Sequence, residues 1–405
     1  MNLSRRLLIG AAAATLPVRR VRAQRPVIRI GIMNDQSGPY RDLTGPTSVA
    51  CTRQAIQEWG DRGFDIDLLV ADHLNKPDLA ASIAKKWYDE DGVDMIQDGG
   101  ASSCALVITS ITRDKNKVFL STSTATSDLT GKACTPNTIH WVTDTYMGSK
   151  STAGAITRQG GNSWFFITAN YAFGQALQRD ASKFVIDSGG KVLGANIYPF
   201  PETTDFSAAL VQAQASGAKV IGLANSGLDT VNCIKQASEF GIVKGGQQLA
   251  GLIMYSTDVH AVGTETAQGL LLSESYYWDL NDRTRAFMNR IKPKVTLWPN
   301  SVQAGQYSSA LHYFKAIAAM GPAAAKTSGS ALVTQMKAMP TDDDCFGPDG
   351  RIRADGRKIH ACYLFSVKTP TESTQAWDLM KPVAVTPGAD AFRPLSEHAC
   401  PLLNG

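Results

Sequence analysis

The sequence predicts an α/β protein built from two doubly wound lobes, and three observations lead to this prediction. Short β-branched and apolar runs alternate with longer stretches of helical period, which is typical of right-handed βαβ units on a parallel sheet. The alternation restarts after about residue 143, and 405 residues are enough for two domains. The composition, 43% hydrophobic and 19% charged, is that of a globular protein and excludes a disordered or fibrous chain.

The individual elements follow from these periodicities. Strands are predicted at 27–33, 66–71, 93–97, 117–120, 139–143, 164–168, 191–198, 219–223, 248–254 and 269–275. Helices are predicted at 46–61, 77–91 and 103–116, from near 173, 205 and 228, and at 282–292, 301–319 and 328–339. An antiparallel tail with strands at 363–367 and 377–385 follows. The tail is too short for a third lobe, so we expect it to complete the first two.

Residues 1–23 predict an export signal peptide. Arg5 and Arg6 precede an apolar stretch, and Ala23 ends a small-residue pattern at which a signal peptidase cuts. The paired arginines favour the twin-arginine route, and we expect cleavage after Ala23 and a periplasmic product. Without residues 1–23, which carry five arginines and no acidic residue, the net charge falls from +4 to −1. This charge gives no footprint for nucleic acid or an anionic membrane.

Small and hydroxyl-bearing residues follow several of the predicted strands. Ligands of open α/β sheets bind beyond the carboxyl ends of the strands. Hydroxyl groups and free amides at helix N-termini can hold a carboxylate there without lysine or arginine, although the same residues also simply cap helices. The loops read Asn34 to Tyr40, Gly99 to Ser103, Ser121 to Thr126, Ala169 to Gly174 and Ala224 to Gly227. Because five loops carry one signature, we favour a shared binding cleft.

Catalytic and metal-binding motifs do not occur in the sequence. It contains no nucleophile elbow, zinc-protease motif, phosphate loop or dinucleotide fingerprint, and its six histidines lack metal-ligand spacing. Asp72 and His73 end a strand near the cleft, where they could form an acid–base pair or pack a loop. We therefore predict a protein without catalytic residues, metal or cofactor.

Seven cysteines would enter an oxidising compartment, so disulfides can persist and at least one thiol stays unpaired. Cys345 and Cys362 flank Asp-Gly pairs that promise hairpin turns, which makes a cross-strand bridge plausible. Cys134 and Cys400 are candidates for tying down the C-terminus. Buried thiols are the alternative for the others.

Short motifs along the chain resemble the periplasmic solute-binding proteins of ABC transporters, in the branch that binds leucine, isoleucine and valine. The motifs cover 27–400 in family order, and together they are specific. They are the strand 28–33 leading into Ser37-Gly38-Pro39-Tyr40, Trp87 to Asp94, Ser127 to Lys132, Tyr171 to Gly174, Phe206-Ser207 with Gln212-Ala213, and Ala267 to Leu270.

The resemblance implies two Rossmann-like lobes that are joined by a three-crossover hinge and close on a ligand. The expected crossovers lie near residues 140–145, 273–277 and 340–345. The expected lobe I is 24–143 plus about 276–342, lobe II is 144–275 plus about 343–395, and 396–405 form a C-terminal tail. The implied partners are a small carboxylate ligand and an inner-membrane ABC permease, and the protein is expected to be a monomer.

The resemblance also implies a set of binding residues. Ser102 with Ser103 would hold the ligand carboxylate, the loop at Ser123 would add contacts, Tyr171 would close over the ligand, and Asp258 would take an ammonium group. The full set is Tyr40, Gly100, Ala101, Ser102, Ser103, Ser123, Thr124, Ala125, Tyr171, Phe173, Asn225 and Asp258.

Two departures from the family pattern bear on the ligand. Ala125 stands where the branched-chain amino-acid binders have a threonine that fixes the α-amino group, and Asn225 lies near the position of a missing tyrosine. An aromatic or other organic acid is therefore an alternative ligand, and the aromatic residues 276–278 would either line its pocket or pack the hinge. An exported α/β enzyme and a ligand sensor of the same fold are the alternative functions.

Overall fold

The computed structural model describes residues 25–403. Its strands are Val27–Asn34 (β1), Asp65–Asp72 (β2), Met95–Asp98 (β3), Val118–Ser121 (β4), Thr138–His140 (β5), Ser163–Ala169 (β6), Lys191–Tyr198 (β7), Val220–Ala224 (β8), Gln248–Gly251 (β9), Leu271–Glu274 (β10), Thr341–Asp343 (β11), Gly347–Ile352 (β12), Lys358–Ile359 (β13), Cys362–Val367 (β14) and Met380–Thr386 (β15).

The helices alternate with these strands through the first two thirds of the chain. They are Gly45–Trp59 (α1), Pro77–Asp89 (α2), Ser102–Asp114 (α3), Thr145–Arg158 (α4), Ala172–Asp187 (α5), Ser207–Ala215 (α6), Leu228–Glu239 (α7), Ser256–Val262 (α8), Thr264–Ala267 (α9), Asp282–Ile291 (α10), Ser301–Met320 (α11), Pro322–Thr327 (α12), Gly329–Ala338 (α13) and Gly388–Ala391 (α14). Within the described chain, no helix combines the length and the apolar character needed to cross a lipid bilayer.

The first lobe is a five-stranded parallel sheet in the order β2-β1-β3-β4-β5. Strand β1, the second in this sheet, is buried along most of its length. Ile28 and Ile30 pack into one core cluster, and Met33 packs into another cluster on the opposite face of the sheet. The late helices α10 to α13 return to this lobe, where α11 packs on α1. Asn300 caps the start of α11, where its side chain accepts hydrogen bonds from the amides of Val302 and Gln303.

The second lobe is a four-stranded parallel sheet in the order β7-β6-β8-β9. An antiparallel sheet, in the order β10-β14-β15, lies beside β9 and is covered by α4. The sequence-based prediction of two doubly wound lobes with an antiparallel tail is confirmed. The short helices α8, α9, α12 and α14 were not predicted, because they are at most seven residues long and carry little periodic signal. The 14-residue helix α4 was also missed, since its sequence is rich in small and hydroxyl-bearing residues.

The chain from β11 to β13 lies in a different place from the one predicted. A bridge between Arg357 and His140 sets it beside the first sheet, and β12 contacts α13. The sequence-based boundary assigned everything after about residue 343 to the second lobe. We propose instead that the third crossover lies at residues 360–361, immediately before β14.

This course of the chain explains why one predicted disulfide is wrong. The hairpin between β12 and β13 forms as expected, with Arg351 opposite Ile359. Cys345, however, stays in the core beside the first lobe, whereas Cys362 opens β14 in the antiparallel sheet of the second lobe. Both are buried free thiols.

The other predicted disulfide is present. Cys134 and Cys400 are bonded, with their Cα atoms 5.5 Å apart and 266 residues apart in sequence. The bond ties the C-terminal segment to the loop that follows the fourth strand of the first lobe.

Candidate functional site

The carboxyl ends of the two parallel sheets face each other across a cavity. The loops after β1, β3, β4, β6, β8 and β9 all reach it, as expected for a site at the ends of parallel strands. The residues that line it are Tyr40, Leu43, Thr44, Gly100, Ser102, Ser123, Ala125, Tyr171, Phe173, Ser226, Ile253 and Tyr255.

The cavity is closed by aromatic side chains from both lobes. The hydroxyl groups of Tyr40 in the first lobe and Tyr171 in the second are hydrogen-bonded to each other. Phe200 stacks on both rings, with centroids 4.4 Å from Tyr171 and 5.3 Å from Tyr40. About 20 Å³ of free space remains inside, which is room for roughly one water molecule. A ligand the size of an amino acid therefore requires the lobes or these side chains to move apart.

Polar contacts outside the cavity also join the lobes. The amide of Leu228 donates to the carbonyl oxygen of Pro39 (3.1 Å), and Asn300 Nδ2 donates to Thr257 Oγ1 (3.1 Å). Arg179 of α5, in the second lobe, also forms an ion pair with Asp128 of the first lobe (3.3 Å). These contacts join the two lobes in the arrangement that the structure shows.

Two helices begin at the cavity wall with unpaired amides. Ser102 is the first residue of α3, and neither it nor the next two residues has an amide acceptor among the described residues. The same holds for the first three amides of α5, which begins between the lining residues Tyr171 and Phe173. Because the helix dipole adds to these free donors, both termini favour a negatively charged group.

The hydroxyl group of Ser102 adds a further donor. Ser102 Oγ accepts a hydrogen bond from the amide of Thr126 (3.3 Å), and no acceptor among the described residues takes its proton. The side chain is almost fully buried. Ser102 can therefore donate to a carboxylate while its oxygen is held in place.

A second serine in the cavity is bonded in the opposite sense. Ser123 Oγ donates to Asp98, the last residue of β3, which is fully buried behind the lining residues. Burial raises the pKa of Asp98 to about 6, against the lowering effect of hydrogen bonds from Ser123, Asn34 and Gly100.

The rest of the lining is apolar or aromatic. Leu43, Phe173 and Ile253 form it together with the rings of the lining tyrosines. None of the described lining residues carries a charged side chain. Within residues 25–403, moreover, no three histidine, cysteine or acidic side chains cluster as metal ligands do. The arrangement is suited to holding a small anionic group with a compact apolar body.

Seven of the twelve sequence-predicted binding residues line the cavity. They are Tyr40, Gly100, Ser102, Ser123, Ala125, Tyr171 and Phe173. Three predicted residues lie next to lining residues but are not part of the lining: Ala101, Ser103 and Thr124. The side chain of Thr124 is bonded elsewhere, since its Oγ1 donates to the carbonyl oxygen of Gly100 (3.1 Å). The role of each residue towards a ligand stays a prediction.

Two predicted second-lobe residues are placed away from the cavity. Asp258 does not line the cavity; it caps α8, where its carboxylate accepts a hydrogen bond from the amide of Tyr255 (2.9 Å). Asn225 is buried; its Oδ1 accepts a hydrogen bond from Thr230 Oγ1 (2.7 Å), and its Nδ2 donates to Cys233 Sγ (3.5 Å).

Five lining residues were missed by the sequence-based prediction. Only Ser226 carried a signal, since it lies in one of the small-residue loops. Leu43, Thr44, Ile253 and Tyr255 reach the cavity through the path of their loops, which periodicity does not describe.

The remaining predicted groups near the cleft have structural contacts. His73 accepts a hydrogen bond from the amide of Asn75 and contacts the carbonyl oxygen of Gly99, so it packs the loop as one alternative expected. Tyr277 and Trp278 both donate to the carbonyl oxygen of Trp377 (2.7 Å each), which is the hinge-packing alternative.

Comparison with known proteins decides the family. The family model of the periplasmic binding proteins matches residues 27–374. The chain belongs to the periplasmic binding protein family. This confirms the family and the class of function, a solute-binding protein, that the sequence predicts.

Solved structures extend the comparison. The chain is similar to a periplasmic binding protein from Burkholderia mallei, with 41% identity, a TM-score of 0.89, and coverage of 93% of this chain and 99% of that one. A branched chain amino acid ABC transporter periplasmic ligand-binding protein from Burkholderia xenovorans shares 34% identity, with a TM-score of 0.80 and the same coverage.

A more distant structure shares the fold alone. It is an ABC transporter solute binding protein from R. palustris in complex with benzoate, 18% identical, with a TM-score of 0.80 and coverage of 93% of this chain and 99% of that one. The sequence matches none of the curated proteins with which it was compared.

Proposed function

We propose that the protein captures a small carboxylate between its lobes and delivers it to an ABC permease. The observation that carries this proposal is a set of free hydrogen-bond donors at one cavity: the unpaired amides at the starts of α3 and α5 and the hydroxyl proton of Ser102. The described lining of this cavity has no charged side chain. The two helix termini belong to different lobes. A carboxylate that contacts both would therefore favour closure.

The ligand class follows from the lining. Aromatic and branched apolar side chains fill the space around the polar donors, so the body of the ligand is compact and apolar, as in a branched-chain amino acid or an aromatic acid. The relative from Burkholderia xenovorans, a branched chain amino acid ABC transporter ligand-binding protein, supports the first of these.

Binding rather than catalysis is supported by the relatives, which are transporter binding proteins, and by the loop-packing contacts of His73. We also propose that the protein is an exported monomer, released by cleavage after Ala23 along the twin-arginine route. Residues 1–23, on which this depends, lie outside the described residues.

A thermal-shift screen of the mature protein, residues 24–405, tests the proposal. The probes are leucine, valine, benzoate, hydroxybenzoates and short aliphatic acids, each paired with its primary amide. A carboxylate at 100 times its dissociation constant adds about 2.7 kcal/mol to the stability, whereas its amide should add little. Equal shifts with acids and amides, or no shift with any acid, would contradict the proposal.

A further inference from the structure

We propose that Asp98 is a positioning residue that selects carboxylates carrying a hydrogen-bond donor, either an ammonium or a hydroxyl group, by orienting the hydroxyl of Ser123. This inference rests on the proposed function and adds a second requirement for the ligand.

Asp98 is held behind the cavity by three donors. Asn34 Nδ2 donates to one carboxylate oxygen (2.7 Å), while the amide of Gly100 (3.3 Å) and Ser123 Oγ donate to the other. Asp98 itself is fully buried and does not line the cavity, whereas Ser123 does. Any effect of Asp98 on a ligand therefore passes through Ser123.

The hydrogen-bond arithmetic of Ser123 gives the direction of that effect. A serine hydroxyl has one proton and two lone pairs. Since Asp98 takes the proton, Ser123 presents lone pairs to the cavity and accepts from a ligand donor. Ser102 is the opposite case, because its oxygen accepts from Thr126 and its proton stays free. One hydroxyl of the cavity donates and the other accepts.

The backbone at Asp98 is unusual for its residue type. Its φ is +90°, a region that residues with a side chain rarely adopt. Such conformations persist where the surroundings over-determine them and are found mostly at functional sites. The three donors supply that determination here.

The charge of Asp98 acts in the same direction as the orientation of Ser123. None of the described lining residues carries a charged side chain, and only the hydroxyl group of Ser123 separates the Asp98 carboxylate from the cavity. Its negative charge therefore favours a cationic group on the part of a ligand next to Ser123.

Other ionisable groups surround this part of the loop. His73 contacts the carbonyl oxygen of Gly99 (3.2 Å), and His140 contacts that of Thr124 (2.6 Å). Burial lowers the pKa of both histidines, which disfavours their charged forms. Asp35 accepts hydrogen bonds from the amides of Gly38 and Tyr40.

The orientation of Ser123 should depend on pH. Burial raises the pKa of Asp98 to about 6. Well above this pH the ionised carboxylate takes the serine proton. Well below it the protonated carboxyl can donate to Ser123, whose own proton then turns towards the cavity. Selection for a donor-bearing ligand should therefore weaken as the pH falls through about 6.

Titration calorimetry with matched ligand pairs tests the inference. L-leucine is compared with 4-methylpentanoate, which lacks the ammonium group, and 4-hydroxybenzoate is compared with benzoate, which lacks the hydroxyl group. The proteins are the wild type, Asp98→Asn, Ser123→Ala and the control Ser103→Ala, each at pH 8.0 and pH 5.5. The pair that shows discrimination tells whether the donor is an ammonium or a hydroxyl group.

In the wild type at pH 8.0, we expect the donor-bearing member of one pair to bind about tenfold more tightly than its partner. Asp98→Asn and Ser123→Ala should reduce this ratio to about threefold or less, Ser103→Ala should keep it, and pH 5.5 should reduce it in the wild type only. If Asp98→Asn does not fold, Ser123→Ala and the wild-type pH dependence decide.

Two results would overturn the inference while leaving the proposed function intact: carboxylates that bind without discrimination in either pair, or a discrimination that persists in Ser123→Ala and at pH 5.5. If none of the four carboxylates binds, the proposed function falls, and this inference falls with it.

Discussion

Removing the hydroxyl group of Ser102 should weaken ligand binding without unfolding the protein. A charge-assisted hydrogen bond to a carboxylate contributes about 1.5–3 kcal/mol, or about a 10- to 150-fold change in affinity. In Ser102→Ala the unpaired amides of α3 remain and still attract the carboxylate. We therefore expect the lower part of this range, about a 10- to 30-fold loss.

The cost to folding should be small. Ser102 Oγ accepts only the hydrogen bond from Thr126, whose length of 3.3 Å marks it as weak. The substitution should lower the free energy of unfolding of the unliganded protein by about 1 kcal/mol or less.

Titration calorimetry with the best carboxylate from the thermal-shift screen measures the first effect, and urea unfolding measures the second. Ser103→Ala is the matched control, since Ser103 lies in the same helical turn but does not line the cavity. Wild-type affinity in Ser102→Ala, or an equal loss in Ser103→Ala, would show that the Ser102 hydroxyl does not bind the carboxylate.

Three further predictions follow from the structure. Tyr171→Phe keeps the aromatic stack but loses the hydroxyl contact with Tyr40, which must break before a ligand fits, so ligand affinity measured by calorimetry should rise about three- to tenfold; an unchanged affinity would show that this contact does not hold the cavity shut. Cys400→Ser breaks the disulfide that closes a 266-residue loop and should lower the free energy of unfolding, measured in urea, by about 2–4 kcal/mol. The control Cys362→Ser changes a free thiol and breaks no such loop, so an equal loss in both variants would contradict the prediction. Burial lowers the pKa of His312 to about 4, so between pH 6.5 and 4 the unfolded chain takes up a proton that the folded protein does not, and this residue should remove about 2 kcal/mol of stability at pH 5 relative to pH 7.5. The stability difference between wild type and His312→Gln in urea should therefore shift by that amount between the two pH values; a constant difference would contradict the lowered pKa.

The sequence predicts the fold well because its signals are local and periodic. The buried isoleucines of β1 and the helical period of α1 can be read along a few residues, and the restart after residue 143 separates the lobes. The path from β11 to β14 could not be predicted. The hairpin itself was expected, but which lobe receives it depends on long-range contacts such as the bridge from Arg357 to His140.

The site was predicted where residue type and strand position coincide. Ser102 and Ser123 belong to small-residue loops that directly follow strands. Asp258 was expected at the cavity but does not line it; a carboxylate at the third position of a helix is equally suited to capping, and Asp258 caps α8. The contact between Asp98 and Ser123 could not be predicted, since a single acidic residue at the end of a strand gives no sign that it is buried behind a serine.

A crystal structure of the mature protein with its best carboxylate ligand would show where the carboxylate binds. We expect a carboxylate oxygen within about 3 Å of Ser102 Oγ and of the free amides at the start of α3, with the apolar body between Phe173 and Ile253. A ligand bound outside the cavity, or one whose carboxylate points away from Ser102, would contradict it.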